Sequence, residues 1–215
     1  MSFDRRQDRA QRERYHHGNL REALIEAALR LVAERGPAGF AFVELARAAG
    51  VSAGAPYRHF RDRNALLAEI ARRGFVRFAA EMERMWNDGR PDPITALENC
   101  GKAYLAFARS DPASYAVMFE SGLPLEEEPG LRAAADLAFG VLRRAADAAC
   151  ATARGNRPPS LMVALHIWAL AHGIASLFVR HPNRLPMTPE ELLEAGGLIY
   201  LQSLGLAGAP PGSAP

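Results

Sequence analysis

Residues 42–60, Phe-Val-Glu-Leu-Ala-Arg-Ala-Ala-Gly-Val-Ser-Ala-Gly-Ala-Pro-Tyr-Arg-His-Phe, restrict the fold more than any other stretch of the chain. Leu45, Ala46 and Ala49 recur at helical spacing, Gly50 can take the left-handed conformation that ends a helix, and Val51 is placed to fill the angle before a second short helix. Ser52 is a capping residue for that second helix. Two short helices joined by a glycine turn make a helix-turn-helix, whose second member, here Ala53 to His59, lies in the major groove of DNA. Pro56 removes a backbone donor inside it, so the helix is expected to begin late or with a tight first turn.

Charge points the same way. Residues 1–75 carry 14 Lys+Arg against 9 Asp+Glu, whereas residues 76–215 carry 12 against 15. The formal total of +2 hides a basic end that suits a polyanion. Cys100 and Cys150 are isolated from each other and from any C-x-x-C spacing, which suggests neither a disulfide framework nor a zinc site. The cytoplasm is the expected compartment. Leu161 to Val179 holds no Asp, Glu, Lys or Arg and could span a bilayer by length. His166, His172, Gly173 and Ser176 interrupt it, and a helix buried between a domain core and a partner subunit has the same composition. That soluble reading is preferred, with no membrane partner.

Along the chain, residues 1–18 are charged with little apolar periodicity and read as a flexible basic arm. Asn19 followed by Glu22 predicts a capping-box start, and Leu20, Ala23, Leu24, Ala27, Ala28, Leu31 and Val32 form one apolar face up to Gly36-Pro37. Asp62 is a candidate cap for a longer helix from 63 to about 80, in which Leu66, Leu67, Ile70, Phe75 and Phe78 recur at core spacing. Helical periodicity returns over about 93–109, 112–120, 130–153, 158–180 and 189–205, separated by proline- and glycine-bearing breaks, and no strand alternation appears. The class is all-α: a three-helix DNA-binding domain over 19–62, a helical regulatory and dimerisation domain over 63–206, and a disordered tail over 207–215.

The run Leu-Ala-Arg-Ala-Ala-Gly-Val-Ser at 45–52, then Tyr57-Arg58-His59-Phe60, Arg63 and Ala65-Leu66-Leu67, resembles the tetracycline-repressor (TetR) family of transcriptional regulators. Trp168, His172 and Gly173 resemble the Trp-His-Gly pattern of one regulatory-domain subclass. The resemblance implies a DNA-binding head, a helical ligand-binding domain and a homodimer joined through the last two helices. It implies that Tyr57 and His59 touch DNA phosphates and that Arg63 stands where a lysine is usual, a role arginine can serve bidentately. Ala41, Ala53 and Ala55 depart from the family, which often has Thr, Lys and Thr there.

The candidate DNA-binding residues are Ser52, Ala53, Gly54, Tyr57, Arg58, His59, Arg63 and His17. Tyr57, Arg58 and His59 present hydrogen-bonding tips on one turn, while Phe60 reads as packing. With alanines at 53 and 55, base reading leans on thymine methyls, on close approach at Gly54 and on Arg58. Tyr15-His16-His17 fits backbone contact better than metal, because adjacent histidines diverge and no third ligand is near. Tyr104, Phe107, Tyr115, Met118, Phe119, Met162, Trp168 and His172 could line an effector pocket, His172 either meeting the effector or bonding a core side chain such as Tyr104 or Tyr115. Leu192, Leu193, Gly196, Gly197, Ile199, Tyr200 and Leu204 are the candidate dimerisation residues, with the two glycines tolerated if backbones approach closely. No paired-carboxylate, nucleophile-elbow or phosphate-loop motif points to an enzyme, and no cofactor or metal is expected. The expected function is a repressor released from a palindromic operator by a small apolar effector. The alternative is a helical dimerisation or membrane-anchored binding module.

Overall fold

The computed structural model describes residues 4–153, 155–180 and 186–206, the side chains of 4–19 and 179–180 excepted. The expected tail, 207–215, lies outside these. Among the described residues there are eight α-helices and no strand: α1 Asp4–Arg35, α2 Phe42–Ala48, α3 Arg63–Trp86, α4 Pro93–Ser110, α5 Pro112–Glu120, α6 Pro129–Ala151, α7 Ser160–Arg180 and α8 Pro189–Ser203. From α3 onward the starts follow the sequence reading within two residues, because proline or a capping residue marks each one, while α3 runs on to Trp86, beyond the end expected near residue 80. Asp92 caps α4 by accepting from the backbone N–H groups of Ile94 and Thr95, both at 3.0 Å, with Pro93 in the first turn. Thr188 and Glu191 close a reciprocal capping box at α8: the Glu191 N–H donates to Thr188 Oγ1 at 3.1 Å and the Thr188 N–H to Glu191 Oε2 at 2.7 Å.

Helix α1 is already helical at Asp4, so no helix start marks Asn19, and the segment read as an arm has helical backbone from residue 4. Gln7, Arg9, Ala10, Gln11, Arg12, Glu13 and Arg14 are strong helix formers, and Gly18 alone does not end the run. The side chains there, His17 included, lie outside the described residues.

The chain forms two compact units, Met1–Ala71 with Ala113–Glu128, and Arg72–Pro112 with Pro129–Pro215. This differs from the expected division at 62/63: the start of α3 and nearly all of α5 group with the first unit. No linker separates the units at α3, which runs unbroken through Ala71. In the first unit, α1 buries Leu24, Ile25, Ala27, Ala28, Leu31 and Val32, and α2 buries Phe42, Leu45 and Ala46. In the second unit, α7 packs on α4, α6 and α8, burying Val163, Ala164, Ile167, Ala171, Ile174 and Ala175 along one stripe.

Candidate nucleic-acid interface

Helix α2 begins at Ala41, whose backbone N–H donates to Glu44 Oε2 at 2.8 Å, while Arg35 Nη1 donates to Glu44 Oε1 at 2.8 Å. Those two bonds hold the Glu44 carboxyl below its ordinary range. Ala41 cannot return a side-chain bond, so only half of a capping box is present. The helix ends at Gly50, whose φ of +70° is open to glycine and costly for other residues. The Val51 N–H donates back to the Ala46 carbonyl at 2.9 Å, closing the helix end, and Val51 is half-buried as the turn requires.

The second helix is shorter than expected. Ser52 to Gly54 form a turn, and the helical part is a single 3-10 turn, Pro56–Arg58, preceded by Ala55 with no side-chain cap. Ser52 is therefore not an N-cap. Pro56 explains the delay: in a helix begun at Ala53 its ring would clash with the Ser52 carbonyl, whereas at the first helical position its missing N–H is harmless. The turn closes through the N–H groups of His59 and Phe60, both donating to the Pro56 carbonyl at 3.0 Å.

This short element still sets its side chains apart. Tyr57 is 60% exposed, its ring meeting Phe42 edge-on at 4.9 Å, and Arg58 is exposed beside it. Phe42 thus braces the tyrosine from below. His59 is half-buried and less presented than expected, and Phe60 is buried, as its packing role required, with the Arg21 guanidinium 5.0 Å from its ring. Arg63 is engaged within the unit: its Nη1 donates to the Ala38 carbonyl at 3.0 Å and its guanidinium lies 6.0 Å from the Phe40 ring. Ser52, Ala53 and Gly54 are exposed. Sequence reasoning passed over Arg47, an exposed guanidinium in the last turn of α2, although it stands inside the motif already singled out.

In the second unit Tyr104, Phe107, Trp168 and His172 come together. The Tyr104 hydroxyl meets His172 Nδ1 at 2.8 Å, which is the core-histidine arrangement with the partner that the sequence suggested. Trp168 lies edge-on to Tyr104 at 5.4 Å, to Phe139 at 5.6 Å and to Phe78 at 6.0 Å, and Phe78 also meets Tyr104 at 5.0 Å and Phe107 at 5.1 Å. Phe78 and Phe139 were not among the expected pocket residues. Met162 has to be removed from that set: it is 64% exposed, on the face of α7 opposite the buried stripe. Tyr115, Met118 and Phe119 lie on α5 in the first unit, where the rings of Tyr115 and Phe119 are 4.9 Å apart. A cleft of about 240 Å³ in the second unit is lined by Arg77, Glu81, Ala106, Phe107, Ser110 and Asp111, so Phe107 is the one expected pocket residue that borders it.

The candidate dimerisation residues divide. Leu193 is 6% exposed and packs within the chain on α4, where a Cβ added at Gly101 would lie 3.1 Å from Leu193 Cδ2; Gly197 is buried too. These two are core residues of one chain. A Cβ at Gly196 would lie 3.2 Å from Leu170 Cδ2, so the close approach this glycine permits is between α8 and α7 of the same chain. Leu192 and Leu204 are half-buried, Ile199 is 69% exposed, and half-buried Tyr200 stacks on His166 at 3.5 Å. Leu161, Met162, Leu165 and Leu177 of α7 and Leu198 and Ile199 of α8 leave an apolar surface uncovered. Helix α7 is therefore not enclosed on all sides by its own chain.

An all-helical chain with a helix-turn-helix in one unit and a helical bundle in the other defines a class of DNA-binding regulators, and comparison with known proteins gives the family. Residues 24–70 match the model of bacterial regulatory proteins of the tetR family, and residues 97–196 match the tetracyclin repressor-like C-terminal domain. The two matches together span more than half of the chain, which belongs to the TetR family. The HTH-type transcriptional regulator AcrR of Shigella flexneri is 42% identical over 50 residues, 23% of each protein; the match thus spans about a quarter of that relative. A protein of unknown function from a Rhodococcus species is 29% identical, with a TM-score of 0.74 over 89% of this chain and 98% of that one. The TetR family regulator PfmR from Thermus thermophilus has the same fold, with a TM-score of 0.67 over 86% and 99% at 22% identity.

Proposed function

We propose that the chain is a cytoplasmic, non-enzymatic transcriptional repressor that binds a palindromic operator as a homodimer and leaves it when a small molecule enters the second unit. The observation that carries this reading is the exposed pair Tyr57 and Arg58 on a 3-10 turn held against α2. Tyr57 reaches phosphate, Arg58 reaches phosphate or a base edge, and Ser52 adds a hydroxyl. Arg63 and His59 serve mainly to hold the head together, given the Ala38 bond of the first and the half-burial of the second. The uncovered apolar residues of α7 and α8 support pairing of two chains through those helices, which would space two reading heads along one face of the duplex.

An effector acts only if it favours one spacing of the heads over another. A molecule in the cleft bordered by Phe107 would touch the edge of the packed cluster of Tyr104, Trp168 and His172, whose Tyr104–His172 bond it would have to leave intact or replace. Helix α3, shared by both units, would carry the change to the reading head.

Binding to a selected operator and to random DNA tests this reading directly. Tyr57→Ala should weaken both nearly alike with a shallower salt dependence, because a phosphate contact releases counterions. Arg58→Ala should weaken the operator by about 1–3 kcal/mol and random sequence much less if it reaches a base. A folded wild-type protein with no preference for any DNA would overturn the proposal. The membrane-anchored alternative draws on Ser160–Phe178, a stretch of α7 long and apolar enough to cross a membrane and only a third buried within the chain, and partition of the protein into detergent would favour it.

A further inference from the structure

Between Ser52 and Tyr57 the chain has no side-chain donor or acceptor: the residues are Ala53, Gly54, Ala55 and Pro56. Ala55 and Pro56 are buried, while Ala53 and Gly54 are exposed at the turn that leads into Tyr57 and Arg58. Gly54 has no reason inside the chain. Its φ lies outside the left-handed range, and a Cβ built on it meets no atom within 4 Å. Gly50, a few residues earlier, is explained by its φ of +70°. A glycine required by neither backbone geometry nor packing leaves a flat place where another surface can come close to the main chain.

We propose that Ala53 and Gly54 read the C5 methyl of thymine in the major groove, so that the half-site is fixed in part by methyl groups rather than by hydrogen bonds. This rests on the reading of the first unit as a DNA interface. The major-groove edge of thymine carries an O4 acceptor and the methyl, and that of cytosine an N4 donor and no methyl. A methyl side chain beside a bare Cα can sense the methyl but not the difference between O4 and N4. The site should therefore accept 5-methylcytosine where it accepts thymine and discriminate against deoxyuridine, which keeps O4 and the pairing but lacks the methyl. Ser52 and Arg58, exposed on either side, supply the remaining polar readout.

The test uses the full chain and an operator obtained by selection from random duplexes. Each thymine of that operator is replaced singly by deoxyuridine. At one or two positions per half-site affinity should fall about fourfold, corresponding to roughly 0.8 kcal/mol for one buried methyl-sized group. At the same positions 5-methylcytosine should bind better than cytosine. Gly54→Leu should keep the wild-type thermal melt, since its side chain enters open space, yet bind the operator at least tenfold more weakly and lose its response to deoxyuridine. Specific operator binding that is indifferent to every deoxyuridine replacement overturns methyl reading while leaving the DNA interface standing. A Gly54→Leu protein with full affinity and the wild-type deoxyuridine response does the same. Failure to select any operator overturns both this inference and the reading beneath it.

Discussion

His172 and Trp168 stand one helical turn apart on α7, and both reach Tyr104 on α4: the histidine by a 2.8 Å hydrogen bond, the tryptophan by an edge-on ring contact. The hydroxyl gives the part-buried imidazole a defined orientation, which a ring contact alone cannot do. Tyr104→Phe keeps the rings and removes that bond, so it should lower unfolding stability by about 0.5–1.5 kcal/mol in urea titration with little change in helix content. No loss of stability would mean that the bond is made equally well to water. Cys100 is a second residue-scale case. Its thiol is buried against the Met82 carbonyl on α3, and burial pushes it up to about 12. Iodoacetamide at neutral pH should therefore leave Cys100 unmodified in the native protein and modify it in denaturant, as peptide mapping would show.

The start of α3 depends on Asp62. Its Oδ1 accepts from the Ala65 N–H at 2.8 Å and its Oδ2 from Arg61 Nε at 2.9 Å. The backbone bond to Ala65 and then the bond to Arg61 hold the carboxyl below its ordinary value of 3.8. A carboxyl lowered by folding contributes stability that is fully present above the unfolded-state pKa and disappears as pH falls through the folded-state value. Asp62→Ala should therefore cost about 0.5–2 kcal/mol near neutrality, as loss of a helix cap does. Comparing urea midpoints at neutral pH with those in strong acid should show the difference between the variant and the wild type closing on the acid side, since a protonated Asp62 is a poorer acceptor. A difference that stays constant with pH would assign the effect to packing. Glu44 at α2 is lowered for a similar reason, so acid should loosen both helix starts that flank the reading turn.

At the scale of the molecule the uncovered residues of α7 and α8 decide the outcome. A chain that exposes Leu161, Met162, Leu165, Leu177, Leu198 and Ile199 on two adjacent helices has an apolar surface that water covers poorly. Ile199→Asp with Met162→Asp changes two side chains that are 69% and 64% exposed, so the fold of one chain should survive. Light scattering at micromolar concentration should then find a monomer where a dimer is expected for the wild type. Operator affinity should fall far more than affinity for an isolated half-site, because the two heads are no longer linked. A wild type that is itself monomeric would remove the basis for a palindromic operator.

Much of this was legible in residue order. Prolines, glycines and capping residues determined the helices from α3 to α8, because their effects on the backbone are local and nothing distant overrides them. Helical spacing picked out Leu24, Leu45, Leu66 and Leu67 as core, and the stretch from Leu45 to Leu67 carried the family. Pro56 foretold that the reading helix would start late. Only the tertiary structure decided which face of each apolar helix turned inward. From Leu161 to Val179 α7 carries no charge and its apolar residues run all round the helix, so the sequence could not say that Val163, Ile167 and Ala171 are buried while Met162 and Leu165 are not. The same holds for Leu193 and Ile199 on α8, which look alike in sequence, yet the first is buried in the chain's own core and the second is exposed. That choice is made by which helix packs alongside, a relation between residues far apart in the chain that local periodicity does not encode.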